Sequence, residues 1–226
     1  MYAYNRYSIF YAPAAGSDLA RFGAQWLGWD AETGHETAHP EIQGVDVAVA
    51  TSTPRKYGFH GTLKPPFRLA TGTDRSGLER AIAELVAKTP AFTMPVLELR
   101  RLGRFLALVP SAPSPALSSL AAACVQELDM FRAPAGDAEL ARRRQSGLSA
   151  AQELNLRRWG YPYVLDEFRF HLTLTGALSG PEEIETALGP LVAPFTNDPM
   201  AVDQICLFGE AADGRFRILR RFPLTG

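Results

Sequence analysis

The chain has 226 residues, 46% hydrophobic and 21% charged, with a formal net charge of −1. That composition predicts a globular protein with ample core. The near-zero charge argues against a broad basic surface of the kind that neutralises extended nucleic acid and leaves a local basic cleft open. No apolar run reaches membrane-spanning length, and the start, Met1-Tyr2-Ala3-Tyr4-Asn5-Arg6, lacks the basic opening and apolar core of a secretory signal. Cys124 and Cys206 sit among apolar residues without metal-ligand spacing, which predicts buried reduced thiols and a cytoplasmic protein.

In chain order, Arg6–Tyr11 is aromatic and β-branched and predicts a strand. Ser17 and Asp18 are placed to cap a helix through Leu19, Phe22, Trp26 and Leu27. Residues 30–45 predict a loop and Val45–Ala50 a short strand. Lys56–Phe67 predicts a strand that stops at Pro65-Pro66. Asp74–Lys88 carries Leu78, Ile82, Leu85 and Val86 at helical spacing. Strands follow at about Phe92–Leu99 and Phe105–Val109, then a helix opened by Ser114. Residues 133–158 predict helices broken near Gly147 with Ser149 as a cap, and Trp159–Val164 a loop. Phe168–Gly176 predicts a strand and Pro181–Leu191 a helix. Ala201–Phe208 and Phe216–Phe222 predict a hairpin about Asp213-Gly214.

Two segments are nearly identical: Phe59-His60-Gly61-Thr62-Leu63 and Phe170-His171-Leu172-Thr173-Leu174. They hold half of the four histidines. In a strand, residues two apart share a face, so each segment presents His and Thr together and buries its apolar flanks. Each is followed by a helix and then two strands. The order therefore predicts an α+β fold of one bilobal, pseudo-symmetric domain over residues 1–226. Its lobes are roughly 1–110 and 111–226, and whether they exchange strands is left open. Two antiparallel sheets would face a central cleft, with helices outside.

Other histidine patterns carry less. His35-Glu36-Thr37 repeats the spacing but lies in a polar loop without apolar flanks. His35-Glu36-Thr37-Ala38-His39 also spells the zinc-peptidase pattern HExxH, which needs a helix to aim both imidazoles at one metal. Pro40 disfavours helical geometry at His39, and no third ligand stands out, so no metal site is expected.

Alternation adds Lys64 to the face of His60 and Thr62, and Arg169 and Thr175 to the face of His171 and Thr173. A lysine and an arginine beside two histidines would suit a phosphate-bearing ligand; solvated strand ends are the equal alternative. Tyr161 and Tyr163 offer a hydroxyl or a stacking surface, with core packing as the competing role. Arg55 and the run Arg142-Arg143-Arg144 add positive potential, although such a run is commonly a solvated helix face.

The paired motifs on a duplicated α+β chain resemble the 2H phosphoesterase superfamily. PRKYGFHGTLKPPFRLA (54–70), WLGWD (26–30), FRAPAGDAELARRR (131–144), WGYPYV (159–164) and FRFHLTLTG (168–176) resemble a bacterial branch of unknown function found with phosphonate-utilisation genes. The resemblance implies cyclic phosphodiester hydrolysis without metal or other cofactor. One histidine would be base and the other acid, with the order open, and Thr62 and Thr173 would hold the phosphoryl oxygens. It implies a small phosphorylated substrate, such as a 5-phosphoribosyl 1,2-cyclic phosphate, with Lys64 and Arg169 on its terminal phosphate. Alternatives are a 2′,3′-cyclic nucleotide or RNA-end phosphodiesterase and a non-catalytic binder of phosphorylated ligands. No membrane partner is expected, and oligomeric state is left open.

Overall fold

Tyr7–Tyr11 (β1) is buried at all five positions because the chain's C-terminal hairpin lies on one side of it and the first motif on the other. The computed structural model describes residues 4–226. Helix α1 (Asp18–Leu27) starts where Ser17 Oγ accepts from the Ala20 N–H and ends at Gly28 in the left-handed region. Strands β2 (Trp29–Asp30) and β3 (His35–Glu36) form a two-residue ribbon inside the stretch expected to be loop. His35 and Glu36 are thus extended, and His39 Nδ1 donates to the Trp26 carbonyl at 3.0 Å, so the HExxH spelling is not helical. Among the described residues no group of three or more His, Cys, Asp or Glu is placed to hold a metal ion.

Val45–Ala50 is not a strand. Asp46 accepts from the Val49 N–H and opens a short helix, α2 (Val47–Ala50), and this cap overrides the valine alternation. The first motif leads into β4 (Gly61–Phe67) after a 3-10 turn, Arg55–Tyr57. Helix α3 (Arg75–Ala87) buries Leu78, Ile82, Leu85 and Val86, as their spacing predicts. There follow β5 (Phe92–Met94), β6 (Leu97–Leu102), β7 (Phe105–Pro110) and α4 (Pro115–Glu127). The arginine-rich stretch divides into α5 (Asp137–Arg144) and α6 (Ala150–Trp159), the second opened by a reciprocal Ser149–Gln152 capping box. The second motif contributes only β8 (Leu172–Thr173), shorter than expected because the Leu174 and Thr175 N–H groups both turn to the Leu106 carbonyl. The chain closes with α7 (Glu182–Val192), β9 (Met200–Val202), β10 (Gln204–Glu210) and β11 (Phe216–Pro223). No described helix is long and apolar enough to cross a membrane. Both cysteines are free and buried, and burial pushes each thiol up to about 12.

The fold is α+β with antiparallel strands. The two expected sheets, β11-β10-β1-β4 and β8-β7-β6, run together into one seven-stranded sheet through the pair Gly61↔Leu172. Hairpin β6–β7 precedes α4 in sequence yet lies beside β8, and hairpin β10–β11 lies beside β1. Strand alternation sorts the core into two layers. Ile9, Tyr11, Leu63, Ile205 and Leu207 join the main cluster with residues of α1, α3, α4 and α7. Phe10, Cys206, Phe208 and Phe216 point the other way and form a smaller aromatic cluster with Trp29.

Alternation fails at one place that matters. Phe10 pairs with Thr62, but Ile9 pairs with Lys64, so β4 carries an extra residue between them. This bulge turns Lys64 off the face of Thr62 and under the helices. There, 2% exposed, its Nζ donates to the Val125 carbonyl at 2.9 Å and lies 3.7 Å from Asp129. Lys64 is therefore not a cleft residue. Burial pushes its ammonium down to about 8, against the pull of Asp129. Between pH 8 and the ordinary lysine range, the unfolded chain holds the proton that the folded chain has shed. Stability should rise with pH in that window, by up to ~3 kcal/mol relative to Lys64→Met. Urea denaturation of both proteins at pH 7.5 and 10 measures this; parallel curves would contradict it.

Candidate functional site

Each motif histidine is fixed by the same local device. His60 Nδ1–H donates to the carbonyl of Gly58 at 2.9 Å, and His171 Nδ1–H donates to that of Arg169 at 2.8 Å, two residues back in both cases. A carbonyl can only accept, so the neutral rings are held with the proton on Nδ1 and the lone pair on Nε2. His60 Nε2 lies 3.3 Å from Thr62 Oγ1. The phenylalanines before the histidines anchor both segments. Phe59 packs where Gly23 of α1 leaves room, and Phe170 packs over Gly61. Trp26 Nε1 donates to the Leu174 carbonyl at 2.7 Å, tying α1 to the second motif.

The pair Gly61↔Leu172 sets the relation between the motifs. Continued in antiparallel register, it places His60 across from Thr173 and Thr62 across from His171. That register would put the two histidines on a diagonal, a relation that spans about 7–8 Å in a regular ladder. A cavity of about 430 Å³ is lined by His60, Thr62 and Thr173, and a smaller one of about 170 Å³ by Thr62 and His171. The two share Thr62, Pro65 and Tyr161.

The imidazoles sit in different surroundings. Phe10 stacks on His60 with centroids 3.9 Å apart, and Tyr57 and Phe208 stand at 5.8 and 6.3 Å. This burial pushes His60 down to about 4; the Gly58 carbonyl opposes the shift, and His171 adds to it. Burial lowers His171 too, against the hydrogen bond to Arg169, and its near aromatic neighbour is Phe105 at 5.7 Å. Burial thus favours the neutral form of both rings, whose lone pair is on Nε2; in His60 that nitrogen faces the Thr62 hydroxyl.

The other residues expected at the site divide. Tyr161 lines both cavities, and burial raises its pKa. Tyr163 and Arg169 line the smaller one, where Arg169 Nη1 donates to the Phe168 carbonyl at 2.9 Å. Thr175 reaches the main cavity, but its hydroxyl donates to the Gly176 carbonyl and accepts from the Leu106 N–H. Arg55 does not join them. Its turn directs the guanidinium back to the carbonyls of Leu27 and Ala48, where it clasps the ends of α1 and α2. Residues not singled out by the sequence also line the main cavity: Arg6, Phe10, Tyr57 and Phe105. Of the arginine run, Arg142 and Arg143 face it. Arg144 instead pairs with Glu153 at 2.9 Å.

Two outcomes check this geometry. His60 resists protonation when folded, so stability should fall as pH drops from about 6.5 toward 4. The deficit relative to His60→Gln should reach roughly 3 kcal/mol, read from urea midpoints at pH 7 and 4.5. At Gly61, a Cβ would clash with the Phe170 ring. Gly61→Ala should cost ~1–3 kcal/mol by overpacking, and a melting temperature equal to that of the parent would count against the close approach.

The chain is 34% identical over 231 residues to "Ribose 1,5-bisphosphate phosphokinase PhnN" of Janthinobacterium sp. (strain Marseille), covering 98% of this chain and 51% of that one. It is 32% identical over 217 residues to the protein of the same name from Laribacter hongkongensis (strain HLHK9), covering 95% and 51%. The chain thus spans about half the length of the curated relatives it matches. Among solved structures, E. coli LigT complexed with 3′-AMP aligns at 18% identity and a TM-score of 0.46, over 99% of this chain and 100% of that one. The model of the family described as "Protein of unknown function (DUF1045)" matches residues 62–217, and the chain belongs to that family.

Proposed function

We propose that the chain is a metal-independent cyclic phosphodiesterase that opens a small sugar cyclic phosphate. The observation that carries this reading is the pair of His-Thr sets joined across one strand pairing, each histidine pinned through Nδ1 so that the lone pair is on Nε2. Two nearby imidazoles supply the two proton transfers that opening a cyclic diester requires.

In this mechanism His60 is the base. It is the more strongly desolvated ring and enters the reaction neutral, its Nε2 taking a proton from the attacking water. His171 is the acid. An anionic phosphodiester bound beside it favours the imidazolium and raises its pKa from the lowered value of the empty site. The water oxygen bonds to phosphorus, one ring P–O bond breaks, and His171 gives its proton to the departing sugar oxygen. The product is a phosphomonoester with one water added, and the histidines exchange protons with solvent to reset. Thr62 and Thr173 donate hydroxyl hydrogen bonds to the non-bridging oxygens as phosphorus becomes five-coordinate.

The substrate assignment draws support from the relatives' name. Hydrolysis of the P–O2 bond in a 5-phosphoribosyl 1,2-cyclic phosphate yields ribose 1,5-bisphosphate, the compound named in "Ribose 1,5-bisphosphate phosphokinase". This chain contains no Gly-Lys pair and hence no phosphate-binding P-loop. Opening the cyclic ester would be the step immediately before such a kinase.

Incubation of the purified chain with 5-phosphoribosyl 1,2-cyclic phosphate in EDTA, followed by phosphorus NMR, tests the reading. Ribose 1,5-bisphosphate should form, and His60→Ala or His171→Ala should each slow it by roughly 10²–10⁴-fold. No turnover, or turnover that survives both substitutions, overturns it. Faster opening of 2′,3′-cyclic AMP would keep the reaction and replace the substrate.

A further inference from the structure

We propose that Arg142 and Arg143 form a second anion subsite in the main cavity, one that takes a phosphomonoester carried by the substrate in addition to the phosphate being cleaved. The inference rests on the cyclic phosphodiesterase reading and assigns the part of the cavity that would set substrate choice. Three arginines line that cavity, and no aspartate or glutamate is among its described lining residues. The three are not equivalent. Arg6 is occupied by Glu210 through two bonds of 2.6 Å each, which uses both its Nε and an Nη. Arg143 is held by Glu139 through Nη2 at 2.8 Å, and its guanidinium lies 4.7 Å over the ring of Tyr161. Its Nε is buried and has no acceptor among the described residues.

A buried guanidinium N–H without an acceptor is costly, and native proteins rarely leave one unpaired. An anion that draws the Arg143 guanidinium toward the cavity would supply the missing acceptor. Arg142, the next residue, is exposed and takes part in no ion pair among the described residues, whereas Arg143 and Arg144 each have a glutamate. One arginine therefore brings a surplus charge and a free fork, and its neighbour brings an orphan donor held rigid by Glu139 and Tyr161. A phosphomonoester has about two negative charges and three acceptor oxygens near neutral pH, enough to engage both. The His-Thr sets, at the starts of β4 and β8, are left to the scissile phosphate. Lys64, buried under the helices, takes no part.

The test compares two substrates with the same scissile ring: 5-phosphoribosyl 1,2-cyclic phosphate and ribose 1,2-cyclic phosphate. The wild-type protein should prefer the first in kcat/KM. In the double variant Arg142→Gln/Arg143→Gln that preference should shrink by ~10–100-fold, mainly through KM, the loss expected for charge-assisted hydrogen bonds. Arg143→Lys keeps a charge but removes the fork and Nε–H, so it should restore only part of the preference. An unchanged preference in the double variant, or full restoration by lysine, overturns the subsite. If the wild type opens neither compound, the hydrolytic reading fails and the subsite is judged alone by calorimetric titration with ribose 5-phosphate. Binding weakened at least ~10-fold in the double variant supports it. No binding, or binding indifferent to the arginines, overturns it. Thermal melts of each variant establish that it is folded.

Discussion

Gly61 and Leu172 meet in the one ladder pair that joins β4 to β8, and this pairing governs the geometry of the whole cleft. Gly61 also pairs with Tyr11 on its other side, so β4 is central and its position is fixed from both directions. A slip of one residue between β4 and β8 would turn one His-Thr set away from the other. The absence of a side chain at Gly61 is part of the same constraint, because the Phe170 ring occupies the space where a Cβ would stand. The residue between His60 and Thr62 is thus dictated by packing of the other motif.

The sheet's two faces divide the labour. One face is covered by α1, α3, α4 and α7 and supplies most of the buried apolar surface. The other keeps a thin aromatic layer, and Phe10 of that layer is what desolvates His60. Depressed basicity at His60 is therefore a by-product of the same alternation that builds the core: Ile9 and Tyr11 face the helices, so Phe10 must face the cleft. The two histidines share a tautomer-fixing device, but the aromatic layer around His60 pushes that ring further down, to about 4.

Much of this was legible in the sequence where the determining interaction is local. Side-chain caps at Ser17 and Ser149 and the spacing of Leu78, Ile82, Leu85 and Val86 define their helices within a few residues. The His-Thr pairs stood out because the pattern occurs twice with matched apolar flanks. Lys64 was misplaced because strict alternation cannot foresee a bulge, which depends on register against β1. Arg55 was misread because its acceptors are carbonyls of α1 and α2, invisible in composition. Arg6 and Tyr57 gave no local signal; they reach the cavity only through long-range pairing. The arginine run showed its charge in the sequence but not which of its members would be left without an acid.

The placement of the two hairpins has a consequence for assembly. Tyr7 pairs with Gly209, and Ala107 pairs with Thr173, so neither motif has its full set of neighbouring strands until distant parts of the chain have met. Contacts of such separation carry a large loop-closure cost and place the chain among slower-folding topologies. During synthesis from the N-terminus, β1 and β4 emerge long before β10 and β8 can flank them, and their edges stay open for that interval. A cleft built this way is incomplete until β8 reaches β4, so a chain arrested before residue 168 would hold His60 and Thr62 without their facing pair.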